Sequence, residues 1–191
     1  MVTVPALVWR GGFFRRALII GGSVGITLGV LAWIDSGFPL SGVMVLVIIG
    51  VFYGIWMPRR MARYWPGAKQ LSGDDRVTVV RTARRGERIG DPRLAQPVVE
   101  YSTGVYAAAE DARPFRWVLP LVLVVGVGTA LWDAVFGSWG NAVASFIYLV
   151  MLLLELFWWP KRRDQLLANT DRASDIARHI LEKQDAGQTE A

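Results

Sequence analysis

Residues 17–34 read ALIIGGSVGITLGVLAWI, and residues 40–57 read LSGVMVLVIIGVFYGIWM. Each run holds 18 residues and no charge. A helix needs about 20 apolar residues (range about 17–25) to cross the hydrocarbon core of a bilayer. A buried strand would stop after about 4–8 residues, and a soluble amphipathic helix would show a polar face every turn. Neither pattern is present. Two further runs follow the same rule. Residues 117–132 carry no charge and draw in Phe115 to reach spanning length, and residues 141–159 are interrupted only by Glu155. The expectation is an all-α protein with four transmembrane helices in two hairpins.

The expected division has four parts. Residues 1–58 hold an N-terminal stub and the first transmembrane hairpin, with spans at about 17–34 and 40–57. Residues 59–114 form a cytoplasmic basic strip and helical hairpin. Residues 115–160 form the second transmembrane hairpin, with spans at about 115–132 and 141–159. Residues 161–191 form a C-terminal amphipathic helix that ends in a frayed tail. Arg15 and Arg16 precede the first span as they would in a secretory signal. The run is nevertheless too long for a signal core, lacks an A-x-A site, and is followed by another span within five residues. It is read as a retained span.

Composition agrees. Of 191 residues, 53% are hydrophobic and only 19% charged, with a mean hydropathy of +0.34 and a pI near 10. Soluble domains carry about 25% charged residues. There is no cysteine, which excludes disulfides, thiolate metal sites and cysteine nucleophiles. His179 is the sole histidine, which excludes multi-histidine metal sites.

All 21 Lys and Arg lie before the first span, between the second and third, or after the fourth. The turns at Asp35–Pro39 and Asp133–Gly140 hold none. The positive-inside rule places the N-terminus, the central segment and the C-terminus in the cytoplasm of a plasma-membrane protein. Setting aside Asp35, Asp133 and Glu155 leaves 13 acidic against 21 basic residues there, a net +8. Trp33, Trp56, Trp117, Trp132, Trp158 and Trp159 sit at span ends, Trp139 in an outer turn, and Trp9 and Trp65 just outside spans. The preference of indole for the headgroup level accounts for all of them.

The two halves resemble each other. Phe14-Arg15 matches Phe115-Arg116, Trp33 matches Trp132, and Trp56-Met57-Pro58-Arg59-Arg60 matches Trp158-Trp159-Pro160-Lys161-Arg162, at offsets of 99 to 102 residues. Both copies share one topology, so this is a parallel repeat. Each proline is expected to stop its helix, with basic residues behind it as anchors. Gly21, Gly25 and Gly29 recur every four residues in the first span, as do Gly50 and Gly54 in the second. That spacing lets backbones approach. Packing inside the bundle is preferred over a homodimer seam.

In the central segment, Arg59, Arg60, Arg63 and Lys69, with Tyr64 and Trp65, form a basic, aromatic strip suited to anionic lipid of the cytoplasmic leaflet. Each basic residue contributes about 1 kcal/mol near such a surface. No nucleic-acid motif accompanies the charges, so nucleic acid is not expected as a partner. Leu71-Ser72-Gly73-Asp74-Asp75 carries a capping box, and Gly86 ends that helix. Asp91-Pro92 starts a second one, which Pro97 should bend. Val77 and Val80 on the first helix, and Leu94, Val98, Tyr101 and Val105 on the second, form a face expected to dock a protein partner. The loop Arg84-Arg85-Gly86-Glu87-Arg88-Ile89-Gly90-Asp91-Pro92-Arg93-Leu94-Ala95 resembles a motif in uncharacterised actinobacterial membrane proteins that combine transmembrane hairpins with a cytosolic helix–Gly–helix insert. It is also similar to short helical modules attached to bacterial membrane proteins. The resemblance covers about residues 71–110 and the general layout, and it implies no chemistry. In the tail, Leu166, Leu167, Ala173, Ile176, Ala177, Ile180 and Leu181 form one stripe, expected to pack on the central hairpin.

Glu155 is the candidate functional carboxylate, since an intramembrane acid is costly unless paired or wetted. A basic residue at the same depth, Arg15, Arg16 or Arg116, is its expected partner. Turn and capping roles are expected for Asp35 and Asp133. No Walker loop, G-x-S-x-G, H-E-x-x-H or EF-hand spacing occurs. No catalytic residue, cofactor or metal is expected. The expected role is that of a non-enzymatic scaffold or accessory subunit with a protein partner or a homo-oligomeric state. An oligomeric small transporter or channel component using Glu155 is the alternative.

Overall fold

A computed structural model describes residues 4–113 and 117–189. Among the described residues there are seven α-helices: α1 (Phe13–Ser36), α2 (Pro39–Tyr64), α3 (Gly73–Arg85), α4 (Ala95–Glu110), α5 (Val118–Phe136), α6 (Trp139–Leu153) and α7 (Trp159–Thr189). No strand occurs among the described residues. By length and composition, α1, α2 and the stretch Trp139–Trp158 can cross a membrane, whereas the apolar stretch Pro120–Phe136 of α5 is shorter. The chain forms two compact units. An apolar unit comprises Phe14–Pro58 and Ala112–Lys161; a polar unit comprises Met1–Phe13, Arg59–Asp111 and Arg162–Ala191.

In the apolar unit, most large side chains of α1 and α2 face outward; Phe14 is 86% and Leu18 79% exposed. Gly21, Gly25 and Gly29 are buried against α2. A Cβ at Gly25 would stand 2.7 Å from the Leu46 carbonyl oxygen, and one at Gly29 would stand 2.7 Å from that of Gly42. Gly50 and Gly54 face Gly21 across the same seam. The glycines are therefore spent on α1–α2 contact within one chain. Gly42, outside the expected set, completes it.

Tight turns join the helices of each pair. Gly37 takes the left-handed conformation (φ 70°) and donates to Trp33 O at 2.8 Å. Gly137 donates to Asp133 O at 2.9 Å with φ −85°. Asp35 and Asp133 lie in the last turns of α1 and α5 rather than in the connections. Asp133 accepts from the Ser145 hydroxyl of α6, a helix-to-helix tie beyond the turn and capping roles expected of it. The third apolar helix begins at Val118 and reaches Phe136, later than the 115–132 expected. Phe115 and Arg116 lie outside the described residues.

Neither proline ends a helix. Pro58 sits inside α2, which continues to Tyr64. Pro160 is the second residue of α7, which follows directly on a π-helical turn, Leu154–Trp158. Proline removes one donor and crowds the carbonyl four residues before it, yet α2 runs on past Pro58 to Tyr64. A π turn also shifts the hydrogen-bond register by one residue, so a missing donor just beyond it is tolerated.

Local capping in the polar unit follows the sequence closely. Ser72 Oγ accepts from Asp75 N at 3.1 Å and donates to its carboxylate at 2.8 Å. Gly86 closes α3 in the left-handed region (φ 68°), its N–H bonding Ala83 O. Asp91 accepts from Arg93 N at 3.0 Å and caps a 3₁₀ turn, Pro92–Leu94. α4 proper starts at Ala95, so Pro97 falls in its first turn, where the missing N–H has no helical acceptor in any case. The bend expected at Pro97 is not needed.

Candidate functional site

The centre of the polar unit is aromatic. An N-terminal 3₁₀ turn, Ala6–Arg10, lays Trp9 against Trp65 and Tyr101. Ring centroids lie 5.2 Å apart for Trp9–Trp65, 5.1 Å for Trp65–Tyr101 and 6.0 Å for Trp9–Tyr101, separations typical of tilted and edge-on aromatic pairs. Both indoles are fully buried. Trp9 and Trp65 are therefore core residues, not headgroup anchors. An apolar spacing in the stub, Val4, Val8 and Trp9, carried that signal, and all three are buried. Arg10 ties the segment to α3 through Asp74 at 3.0 Å.

The face expected to dock a partner is also core. Val77, Val80, Leu94, Val98, Tyr101 and Val105 are all buried within the polar unit. Their cover comes from the N-terminal turn and from α7, which buries Thr170, Ala173, Ser174 and Ala177 at helical spacing. Ser102 Oγ donates to Thr170 O at 3.4 Å, Tyr106 OH to Leu167 O at 3.3 Å, and Asn169 Nδ2 to Arg84 O at 2.9 Å. The tail thus packs on the α3–α4 pair. Of the expected stripe, Ala173 and Ala177 are buried while its leucines and isoleucines are half-buried, and Thr170 and Ser174, outside that stripe, complete the contact line. Burial pushes the Tyr101 phenol upward, and the Arg84 guanidinium beside it partly offsets this.

The basic strip divides. Arg59, Arg63 and Lys69 are exposed. Arg60 is half-buried; it lies 5.4 Å from the centre of the Tyr64 ring and donates to Ala108 O at 3.4 Å. Arg163 donates to Ala109 O at 3.5 Å. Two arginines thereby satisfy the terminal carbonyls of α4 and meet the negative end of its dipole. Sequence proximity to the second span assigned Arg60 to lipid, and no pattern in the sequence flagged Arg163.

What α4 leaves open is a groove of about 400 Å³ beside the end of α2. Gln96, Glu100 and Thr103 line it along one stripe of α4, with Val99 and Ala107 apolar among them and Arg63 opposite. α4 comes so close here that a Cβ at Gly104 would strike the Tyr64 carbonyl. The groove offers one cation (Arg63), one carboxylate (Glu100), an amide (Gln96) and the hydroxyls of Tyr64 and Thr103. That set can form hydrogen bonds and ion pairs. Among the described residues, no three His, Asp or Glu side chains converge as metal ligands would. His179 is exposed at 3.2 Å from Glu182. The Glu155 backbone lies in the π turn, and its side chain lies outside the described residues. No protein-family model, curated protein or solved structure matches the chain.

Proposed function

We propose that the chain is a non-enzymatic integral membrane protein, an accessory subunit or scaffold of the plasma membrane whose polar unit docks a protein partner in the cytoplasm. In this reading α1, α2, α5 and α6 with its π turn make four spans in two parallel-repeat hairpins. Three helices of spanning length support it, together with the absence of Lys and Arg from both short turns. The likeness of residues 84–95 to the actinobacterial insert proteins belongs to the same proposal. Single cysteines at Ser36 and Ser72 test the orientation in a chain without native cysteine; labelling of the Ser72 position from outside intact cells would refute it.

The observation that carries the docking role is the groove along α4. The polar unit closes its apolar core on itself, so recognition falls to its surface. Gln96, Glu100, Thr103 and Arg63 put mixed polarity around Val99 and Ala107, the composition of a small protein interface. Photo-crosslinking residues at Gln96 and Thr103 should yield one discrete protein adduct in native membranes, and one at exposed Arg81 should not. Identical adduct patterns at all three positions, or none, would overturn the assignment.

A second reading, an oligomeric small transporter or channel component, draws on the π turn around Glu155, since π turns concentrate at functional sites. Equal, background-level flux for wild type and Glu155→Gln in liposomes would end it.

A further inference from the structure

Beside the glycine seam, α1 and α2 leave an open apolar groove of about 460 Å³. One wall is Phe14 and Leu18 of α1; the other is Val47, Val51 and Ile55 of α2. Gly22 lies in it with open space above its Cα, where a Cβ would meet nothing within 4 Å. Along α2 the groove runs from Leu46 to Ile55, about 13.5 Å at 1.5 Å per residue. One leaflet of the hydrocarbon core is about 15 Å thick. At the Phe14 end stands Arg15, exposed at the head of α1.

We propose that this groove seats one acyl chain of an anionic phospholipid of the cytoplasmic leaflet, with Arg15 facing its phosphate. The proposal rests on the membrane reading above and names the ligand of one part of it. Three features select a lipid chain over the helix of a second copy. A helix seam needs a run of small residues free for backbone approach; Gly21, Gly50 and Gly54 are already occupied by the α1–α2 contact, which leaves Gly22 as the one lining glycine with open space above it. The protruding Phe14, Leu18 and Val51 leave a channel suited to a thin, flexible chain rather than to a helix about 10 Å wide. The groove also spans most of one leaflet, and the residue that follows Phe14 at its end is the exposed Arg15, matching a tail joined to an anionic headgroup.

The test uses the full chain in phosphatidylcholine nanodiscs doped with phosphatidylglycerol carrying a photoreactive acyl chain, followed by peptide mapping. Label should concentrate on residues 14–22 and 47–55. Gly22→Leu, and independently Val51→Phe, should cut that labelling about tenfold while other spans keep theirs, a change equivalent to about 1.4 kcal/mol. Arg15→Gln should leave tail labelling in place but erase the preference over a photoreactive phosphatidylcholine. Uniform labelling of all spans, or labelling unchanged in both filled variants, refutes the groove and leaves the membrane reading standing. Absence of label from every span refutes both. A cysteine at Val51 that forms a disulfide dimer and abolishes labelling makes the groove a seam between copies and overturns the lipid assignment.

Discussion

Adding one methyl group to Gly25 tests the α1–α2 seam directly. Its Cβ would stand 2.7 Å from Leu46 O and 3.0 Å from Gly50 Cα, both backbone atoms. Ordinary contact begins at about 3.4 Å, so the helices must part by roughly 0.7 Å. A gap of that size forfeits about a quarter to a half of each atom-pair attraction of about 0.1–0.2 kcal/mol along the crossing. Overpacking of this kind costs about 1–3 kcal/mol. In the absence of a hydrophobic drive between helices in lipid, nothing else offsets that loss except the helix propensity of alanine, up to about 1 kcal/mol. Gly25→Ala should therefore lose up to about 2 kcal/mol net. Gly22→Ala, three residues earlier and with open space around it, should lose nothing. Reversible unfolding in mixed micelles, followed by circular dichroism, reads the difference. Equal stabilities for the two variants would refute the assignment of Gly25 to a close backbone seam.

Truncating Trp9 to Ala removes a fully buried indole and should cost about 3–5 kcal/mol, seen as early loss of the near-ultraviolet signal of the polar unit in urea. Gly86→Ala should cost about 1–2 kcal/mol because its φ of 68° is disfavoured for L-residues. Gly90→Ala, with nothing near its Cα, should change stability by less than about 0.5 kcal/mol. Tyr101 titrates above its usual range in the folded state, so its contribution is fully present below about pH 10 and is lost as pH rises through the folded value. Urea midpoints from pH 8 upward should fall at the alkaline end for wild type and stay flatter for Tyr101→Phe. Asp91 shows the opposite sign: the hydrogen bonds from Arg93 hold its carboxyl below the usual range, so its contribution is lost as pH falls. Asp91→Ala should flatten the acid limb of the same profile.

Local signals were legible wherever the chemistry is local. The Ser72 capping box, the left-handed Gly86 and the Asp91 cap depend on residues within one turn, and each has the geometry its sequence implies. The glycine spacing at 21, 25 and 29 was legible because it is a helical period, and its partners on α2 share that period. Long-range burial was not legible. Val98, Tyr101 and Val105 make an apolar stripe whether their cover is a partner or α7, and only tertiary contact separates the two. Trp65 follows directly on an apolar run, where an interfacial role and a core role give the same local pattern, and only the spacing of Val4 and Val8 distinguished Trp9. Pro58 and Pro160 fail as stop signals: α2 runs on past Pro58 to Tyr64, and Pro160 falls in the first turn of α7, just beyond the π turn.

The polar unit is closed by segments that the ribosome delivers far apart. Trp9 emerges first, the α3–α4 pair follows the second apolar helix, and Thr170, Ala173 and Ser174 emerge only after the last. Its core therefore cannot close during most of synthesis. The α4 face stays uncovered until α7 is made, an exposed apolar intermediate of the kind that invites chaperones and proteases. A lesion in α7 acts at that moment, and its first symptom would be low abundance rather than altered activity.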